Sequence, residues 1–310
     1  MTQFAFVFPG QGSQSRGMMN GYADFPIVRD TFAEASQILQ QDLWQLVAEG
    51  DDAALNATVN TQPLMLTAGI AVFRAWQSLN APSPVLLAGH SLGEYTALVA
   101  SGAINFADAL PLVRYRAEVM QQAVPEGVGG IAAILGLDDG SVQNVCHEAA
   151  QGEVLEAVNY NSPGQVVIAG NRAAVERGME LAKAKGAKRA LLLPMSVPSH
   201  CSLLRGAAEK LREYLKQVVL LAPTMPVLHN ADVKYYTDAA SIKDALVRQL
   251  YSPVRWVETV QSFGQQGITH NVECAPGRVL TGLNKRIDTN QQVLALNDGA
   301  ALHAALAVLG

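Results

Sequence analysis

The pentapeptide Gly89-His90-Ser91-Leu92-Gly93 carries the clearest chemistry in the sequence. It is a GxSxG with an apolar run, Pro84–Ala88, before it and a helical pattern, Gly93–Ser101, after it. The two glycines permit a tight strand-to-helix turn, so that the Ser91 hydroxyl stands clear of the strand end. The helix that follows aims free N–H groups and its positive end at negative charge developing beside the serine. This is the layout of a nucleophile for acyl chemistry. A serine that only caps a glycine-flanked turn would not require the strand before it and the helix after it.

A serine hydroxyl needs a base, and histidine suits that role near neutral pH. Of six histidines, His147 lies in a polar helical stretch and His303 near the C-terminus, while His229 and His270 sit on short strand patterns that favour structural roles. His90 adjoins the serine, where neighbouring side chains in a tight turn point apart, so it is expected to pack against or support the turn. His200 follows Val197-Pro198-Ser199 and precedes a helix, at a proline-stiffened junction where a cleft is expected. From position alone, a base and a structural histidine fit His200 equally. The turn Pro9-Gly10-Gln11-Gly12-Ser13-Gln14 fails as a dinucleotide fingerprint because Ser15 stands where a third glycine is needed. It also fails as a phosphate loop, since Met18 follows Gly17 where lysine is required. A cradle of backbone N–H groups and a plain strand-to-helix turn remain equally open.

These residues must be held by a scaffold, and the apolar pattern describes one. The 310 residues are 49% hydrophobic and 16% charged, enough for a large core. Short apolar runs alternate with helical patterns, which predicts an α/β fold with a largely parallel sheet. Phe4–Phe8 reads as the first buried strand. Helices are expected over Ile27–Gln40, over Leu64–Leu79 behind the start signal Thr61-Gln62-Pro63, and over Asp108–Ala123. Between residues 127 and 197 the order becomes βαββαβ: strands Gly130–Leu137, Leu155–Tyr160, Gln165–Ala169 and Arg189–Leu193, helices Ser141–Ala150 and Arg172–Lys185, and a turn at Asn161-Ser162-Pro163-Gly164. That is the ferredoxin-like pattern. The expected division is a large domain of 1–126 and 198–310 with 127–197 inserted. Helices Leu203–Lys216 and Ile242–Leu250 and strands Pro226–His229 and Thr269–Glu273 are expected in the remainder.

Several functions are disfavoured at this stage. A net charge of −5 gives no broad basic footprint for nucleic acid or an anionic membrane. Cys146, Cys201 and Cys274 are scattered and make neither a disulfide framework nor, with the histidines, a metal site. The N-terminus does not read as a signal peptide, and no run approaches the ~18 apolar residues of a membrane span. A cytoplasmic protein without metal or cofactor, and with nothing demanding more than a monomer, is the expectation.

The ordered segments FAFVFPGQGSQ, TQP, AGHSLGEYTALVASG, RYRAEVMQQAVPEG, NYNSPGQVVIAG, GAKRALLLPMSVPSHC, RQLYSPVRW and APGRVLTGL make the chain resemble, nearly end to end, the bacterial malonyl-CoA:acyl carrier protein transacylases of type II fatty acid synthesis. The resemblance implies an α/β-hydrolase-like large domain with an inserted ferredoxin-like subdomain. It implies ping-pong transfer of malonyl from malonyl-CoA to the thiol of holo acyl carrier protein. It implies that Ser91 is the nucleophile and His200 its base and acid, that Arg116 grips the malonyl carboxylate, and that the main-chain N–H groups of Gln11 and Leu92 form the oxyanion hole. Gln249 would orient His200 through its main-chain carbonyl, and Gln62 and Asn161 would line the cleft. Arg116 by itself reads as a solvated helix arginine paired with Glu118 or Glu126; only the resemblance reverses that. For an acidic carrier protein, Lys188 and Arg189, preceded by Lys183 and Lys185, and Lys285 with Arg286 are candidate docking cations, and solvated helix ends explain them equally well. Cys201, beside His200, reads as structural. The competing readings are a serine hydrolase, the malonyl-transferring subunit of a malonate decarboxylase, and a carrier-binding module without catalysis.

Overall fold

The computed structural model describes residues 2–125, 127–194 and 197–310. Among the described residues, nine strands form two sheets: β1 (Phe4–Phe8), β2 (Leu86–Gly89), β3 (Gly129–Leu135), β4 (Leu155–Ser162), β5 (Gln165–Asn171), β6 (Arg189–Leu192), β7 (Val227–Leu228), β8 (His270–Glu273) and β9 (Gln292–Ala295). The larger sheet has the order β7-β2-β1-β8-β9, with every neighbouring pair parallel. All five residues of β1 are buried, as expected of a central strand with both faces covered. Phe4, Phe6 and Phe8 face one core, where Phe6 meets Phe73 and Trp76 edge-on across the helix Thr58–Ser78. Ala5 and Val7 face the other, against Trp256, Val260 and Phe263. The alternation follows from the two-residue period of a strand.

The second sheet has the order β4-β5-β3-β6 and is antiparallel throughout, with the helices Asp139–Ala150 and Arg172–Ala184 on its face. Chain order and sheet order together make it ferredoxin-like. It is tied to the rest of the chain where Tyr160 N–H donates to the Val254 carbonyl and Val254 N–H to that of Val158. Among the described residues, no helix is long and apolar enough to cross a membrane.

Three local departures from the sequence reading shape the cleft. The helix expected from Leu64 begins at Thr58, with Pro63 inside it. A proline near a helix start usually marks the first turn. Here it sits one turn later, which puts Gln62 on the helix and fully buried. The turn expected at Asn161–Gly164 is only Pro163-Gly164, because β4 continues to Ser162 through register shifts at Ala157/Asn159 and Tyr160/Ser162. Such bulges re-aim side chains, and Asn161 turns toward His90. The strand expected over Pro226–His229 shortens to Val227–Leu228, while a 3-10 turn at Ser202–Leu204 precedes the helix Arg205–Leu215.

Candidate active site

The C-terminal ends of β1 and β2, side by side and parallel, deliver the two turns from which the site is built, in the usual position for ligands on a parallel sheet. The elbow after β2 is tight. A Cβ on Gly93 would lie 1.9 Å from the Phe8 carbonyl oxygen, and one on Gly89 equally close to the Gly93 backbone. A Gly93→Ala protein is therefore expected to lose more than about 3 kcal/mol of stability, beyond ordinary overpacking, read as a thermal-melt shift; an unshifted melt would contradict the close approach. Ser91 itself adopts φ 52 and ψ −108, a strained backbone for a residue with a side chain. Asn230 braces it: its Oδ1 accepts from Ser91 N–H at 2.7 Å, and its Nδ2 donates to the Gly89 carbonyl at 2.6 Å.

The Ser91 hydroxyl lies 2.8 Å from His200 Nε2, and His200 Nδ1 lies 2.7 Å from the main-chain carbonyl of Gln249. The carbonyl accepts only, so Nδ1 carries the proton and Nε2 presents its lone pair to the serine. His200 is 3% exposed, and its pKa is pushed down to about 3, first by burial and then by the positive charge of Arg116, with the Gln249 carbonyl acting in the opposite direction. A depressed pKa keeps the imidazole neutral, hence able to take a proton, across the physiological range. The expected result is a kcat/KM profile without an acid limb near pH 6.5. Arg116→Ala should raise any acid limb by removing a nearby cation. A limb near 6.5 in the unmodified enzyme would show His200 to be solvated.

Arg116 reaches the same hydroxyl from the helix Phe106–Ala123. It is 1% exposed. Its Nη1 donates to Gln62 Oε1 at 2.7 Å, and its Nη2 to Gln249 Oε1 at 3.0 Å and to Ser91 Oγ at 3.2 Å. Neither Glu118 nor any other described carboxylate pairs with it; Glu126 lies outside the described residues. Its Nε has no acceptor among the described residues. A buried guanidinium held only by neutral groups is costly unless an anion completes it. Burial accordingly lowers its pKa.

The cleft has a volume of about 140 Å³ and is lined by Gln11, Gln62, Ser91, Leu92, Arg116, Asn161 and His200, with Ile131 and Val167 of the smaller sheet and Leu193 just beyond its last strand forming an apolar wall. Leu92 is the first residue of its helix, so its N–H has no intrahelical acceptor. The turn after β1 touches the elbow there, since a Cβ on Gly10 would come within 3.5 Å of the Leu92 nitrogen. His90 Nε2 lies 2.8 Å from Asn161 Oδ1, and the ring packs beside Trp256. His229 is buried on Glu94 and is absent from the cleft lining. Cys201 donates to the Pro198 carbonyl, and burial pushes its thiol up to about 12, so it is not an activated sulfur.

A model of the acyl transferase domain matches residues 5–298. The chain belongs to the acyl transferase family. It is 58% identical over 307 residues to the malonyl CoA-acyl carrier protein transacylase of Salmonella typhimurium and 55% identical to that of Escherichia coli K12, covering 99% of both chains in each case. The acyl-carrier-protein S-malonyltransferase of Burkholderia pseudomallei superposes with a TM-score of 0.97 at 59% identity, covering 99% of this chain and 100% of that one. A malonyl-transacylase solved in complex with its type II polyketide acyl-carrier protein superposes at 0.98 with 52% identity, over 99% of this chain and 100% of that one.

Reading the sequence missed Thr58, Glu94, Asn230 and Met120. Thr58 accepts from Gln62 Nε2 and donates to Gln11 Oε1, linking the arginine side of the cleft to the turn after β1. Met120 Sδ also touches Gln62 Nε2. Glu94 was detectable in principle as an acid inside the otherwise apolar helix LGEYTALVA.

Proposed function

We propose that this acyl transferase moves malonyl from malonyl-CoA to the phosphopantetheine thiol of holo acyl carrier protein through a malonyl-Ser91 ester, supplying fatty acid synthesis. The observation that carries the reading is Arg116: a buried guanidinium, unpaired with any described carboxylate, 3.2 Å from the hydroxyl at the elbow. Such a group fits an acyl chain ending in a carboxylate and is a liability for a neutral ester.

Ser91 Oγ attacks the thioester carbonyl while its proton passes to His200 Nε2. The tetrahedral oxyanion is received by the N–H groups of Gln11 and Leu92. The C–S bond breaks, and His200 returns the proton to the departing thiolate of CoA. The carrier thiol then repeats the sequence in reverse, giving its proton to His200, forming the new thioester and releasing Ser91. Gln249 holds the imidazole by its carbonyl, Gln62 and Asn161 line the cleft, and no step needs a metal or cofactor.

In this reading, 1–126 with 198–310 is the catalytic body and 127–197 an inserted wall carrying part of the docking surface. Lys183 and Lys185 are paired with Glu180 and Glu148, which removes them as free cations. Lys188, Arg189, Lys285 and Arg286 are candidates that remain. Arg189 and Gln165 flank Leu135 on either side in the small sheet, and Arg286 Nη2 donates to Gln165 Oε1 at 2.8 Å. The two basic clusters thus share one end of that sheet, a patch suited to an acidic carrier. The proposed setting is the cytoplasm, where the three buried thiols stay reduced.

The test is intact-mass spectrometry after adding malonyl-CoA and then holo carrier. A malonyl adduct that moves to the carrier supports the reading. An adduct removed by water, with the carrier unmodified, points to a hydrolase or to another acceptor such as that of a malonate decarboxylase. No adduct at all leaves a binding module.

A further inference from the structure

Among the described residues, two carboxylates are completely buried, Glu94 and Glu273. Glu273 has an evident role, since it accepts from the N–H groups of Leu280 and Thr281 and from the Thr281 hydroxyl, at the start of the helix Val279–Ile287. Glu94 sits in the first turn of its own helix, yet its oxygens reach to other segments. Oε1 is 2.7 Å from His229 Nδ1. Oε2 accepts from Asn230 N–H at 2.9 Å and from Gln249 Nε2 at 2.8 Å. Asn230 is the brace of the elbow, and Gln249 leads to the cleft.

The Gln249 side chain has one donor end and one acceptor end, and its surroundings force their order. Nε2 faces two pure acceptors, Glu94 Oε2 and the Ser91 carbonyl at 2.9 Å. Oε1 is therefore turned to Arg116, whose Nη2 it receives at 3.0 Å. A carboxylate can only accept, so Glu94 locks this orientation in a way that a neutral residue, able to offer a donor, would not. A reversed amide would aim its donors at the guanidinium and drive it off line. The lock also places a buried negative charge one amide away from a buried positive one, which lessens the cost of both.

We propose that Glu94 is a positioning residue: by fixing the Gln249 side-chain amide it aims Arg116, and so sets the preference for acyl groups that carry a carboxylate over neutral ones. The inference rests on the role given to Arg116 above.

Initial rates of transfer from malonyl-CoA and acetyl-CoA to holo carrier protein, compared for the unmodified enzyme, Arg116→Ala, Glu94→Gln and the double variant, provide the test. For Glu94→Gln, malonyl kcat/KM should fall at least ten-fold more than acetyl kcat/KM, with the extra loss in the malonyl KM. The double variant should lose no more malonyl preference than Arg116→Ala alone. Equal losses for both acyl groups, while Arg116→Ala keeps its split, would reduce Glu94 to a brace of the elbow and overturn the proposal. No split in Arg116→Ala would instead overturn the reading of Arg116, and this one with it. Should Glu94→Gln fail to fold, Gln249→Met cuts the same link closer to the arginine and leaves the main-chain carbonyl on His200. The same split is expected there, and equal losses overturn the proposal.

Discussion

Mixed with malonyl-CoA, a Ser91→Ala protein should gain no mass, whereas the unmodified chain should gain one malonyl group. Among the described residues, Ser91 is the hydroxyl that meets His200 Nε2, at 2.8 Å, on a backbone held in a strained elbow. The three buried thiols offer no substitute, since burial raises the pKa of each. Groups that act as a unit in nucleophilic catalysis cost about 10⁴- to 10⁶-fold in rate when one is removed. Transfer by Ser91→Ala should fall by that amount, read with radiolabelled malonyl-CoA. An adduct on any other side chain would refute the nucleophile assignment.

Arg116→Ala should separate the acyl groups. Malonyl transfer is expected to fall roughly 10²- to 10³-fold, the loss expected when one partner of a buried charge pair is removed. Acetyl transfer should fall far less or rise, because a neutral methyl gains nothing from an unpaired cation and is freed from its desolvated neighbourhood. Parallel steady-state kinetics with both thioesters decide the matter. Equal losses would make Arg116 a support for Gln62, Gln249 and Ser91, to which it is also bonded.

The residues differ in how visible their roles were before folding. Ser91 was legible because its chemistry is enforced by its immediate neighbours: glycines for close approach, a strand before and a helix after. The alternating sheets and the βαββαβ order were legible for the same reason, as local periodicity carries them. Arg116 was not, because its distinguishing property is the carboxylate it lacks, and burial is a property of the packed whole. Gln62 was misplaced by Pro63, read as a helix start, and Asn161 by a bulge that no periodicity announces. Lys185 looked free because its partner, Glu148, lies 37 residues away. Glu94 was an anomaly in plain view, a charge in an apolar helix, but its partners come from segments more than a hundred residues downstream.

The carbonyl that holds His200 has a consequence for the lifetime of the proposed acyl-enzyme. A base whose imidazolium rests on a neutral oxygen and beside a cation is weak. A thiol, with a pKa near 8.5, surrenders its proton to such a base far more readily than water does. In the proposed mechanism the ester on Ser91 would then persist until a thiol arrives, and the weakness of the base would act as a kinetic filter, rationing the activated group to sulfur and sparing it from waste in a solvent that outnumbers the carrier many times over.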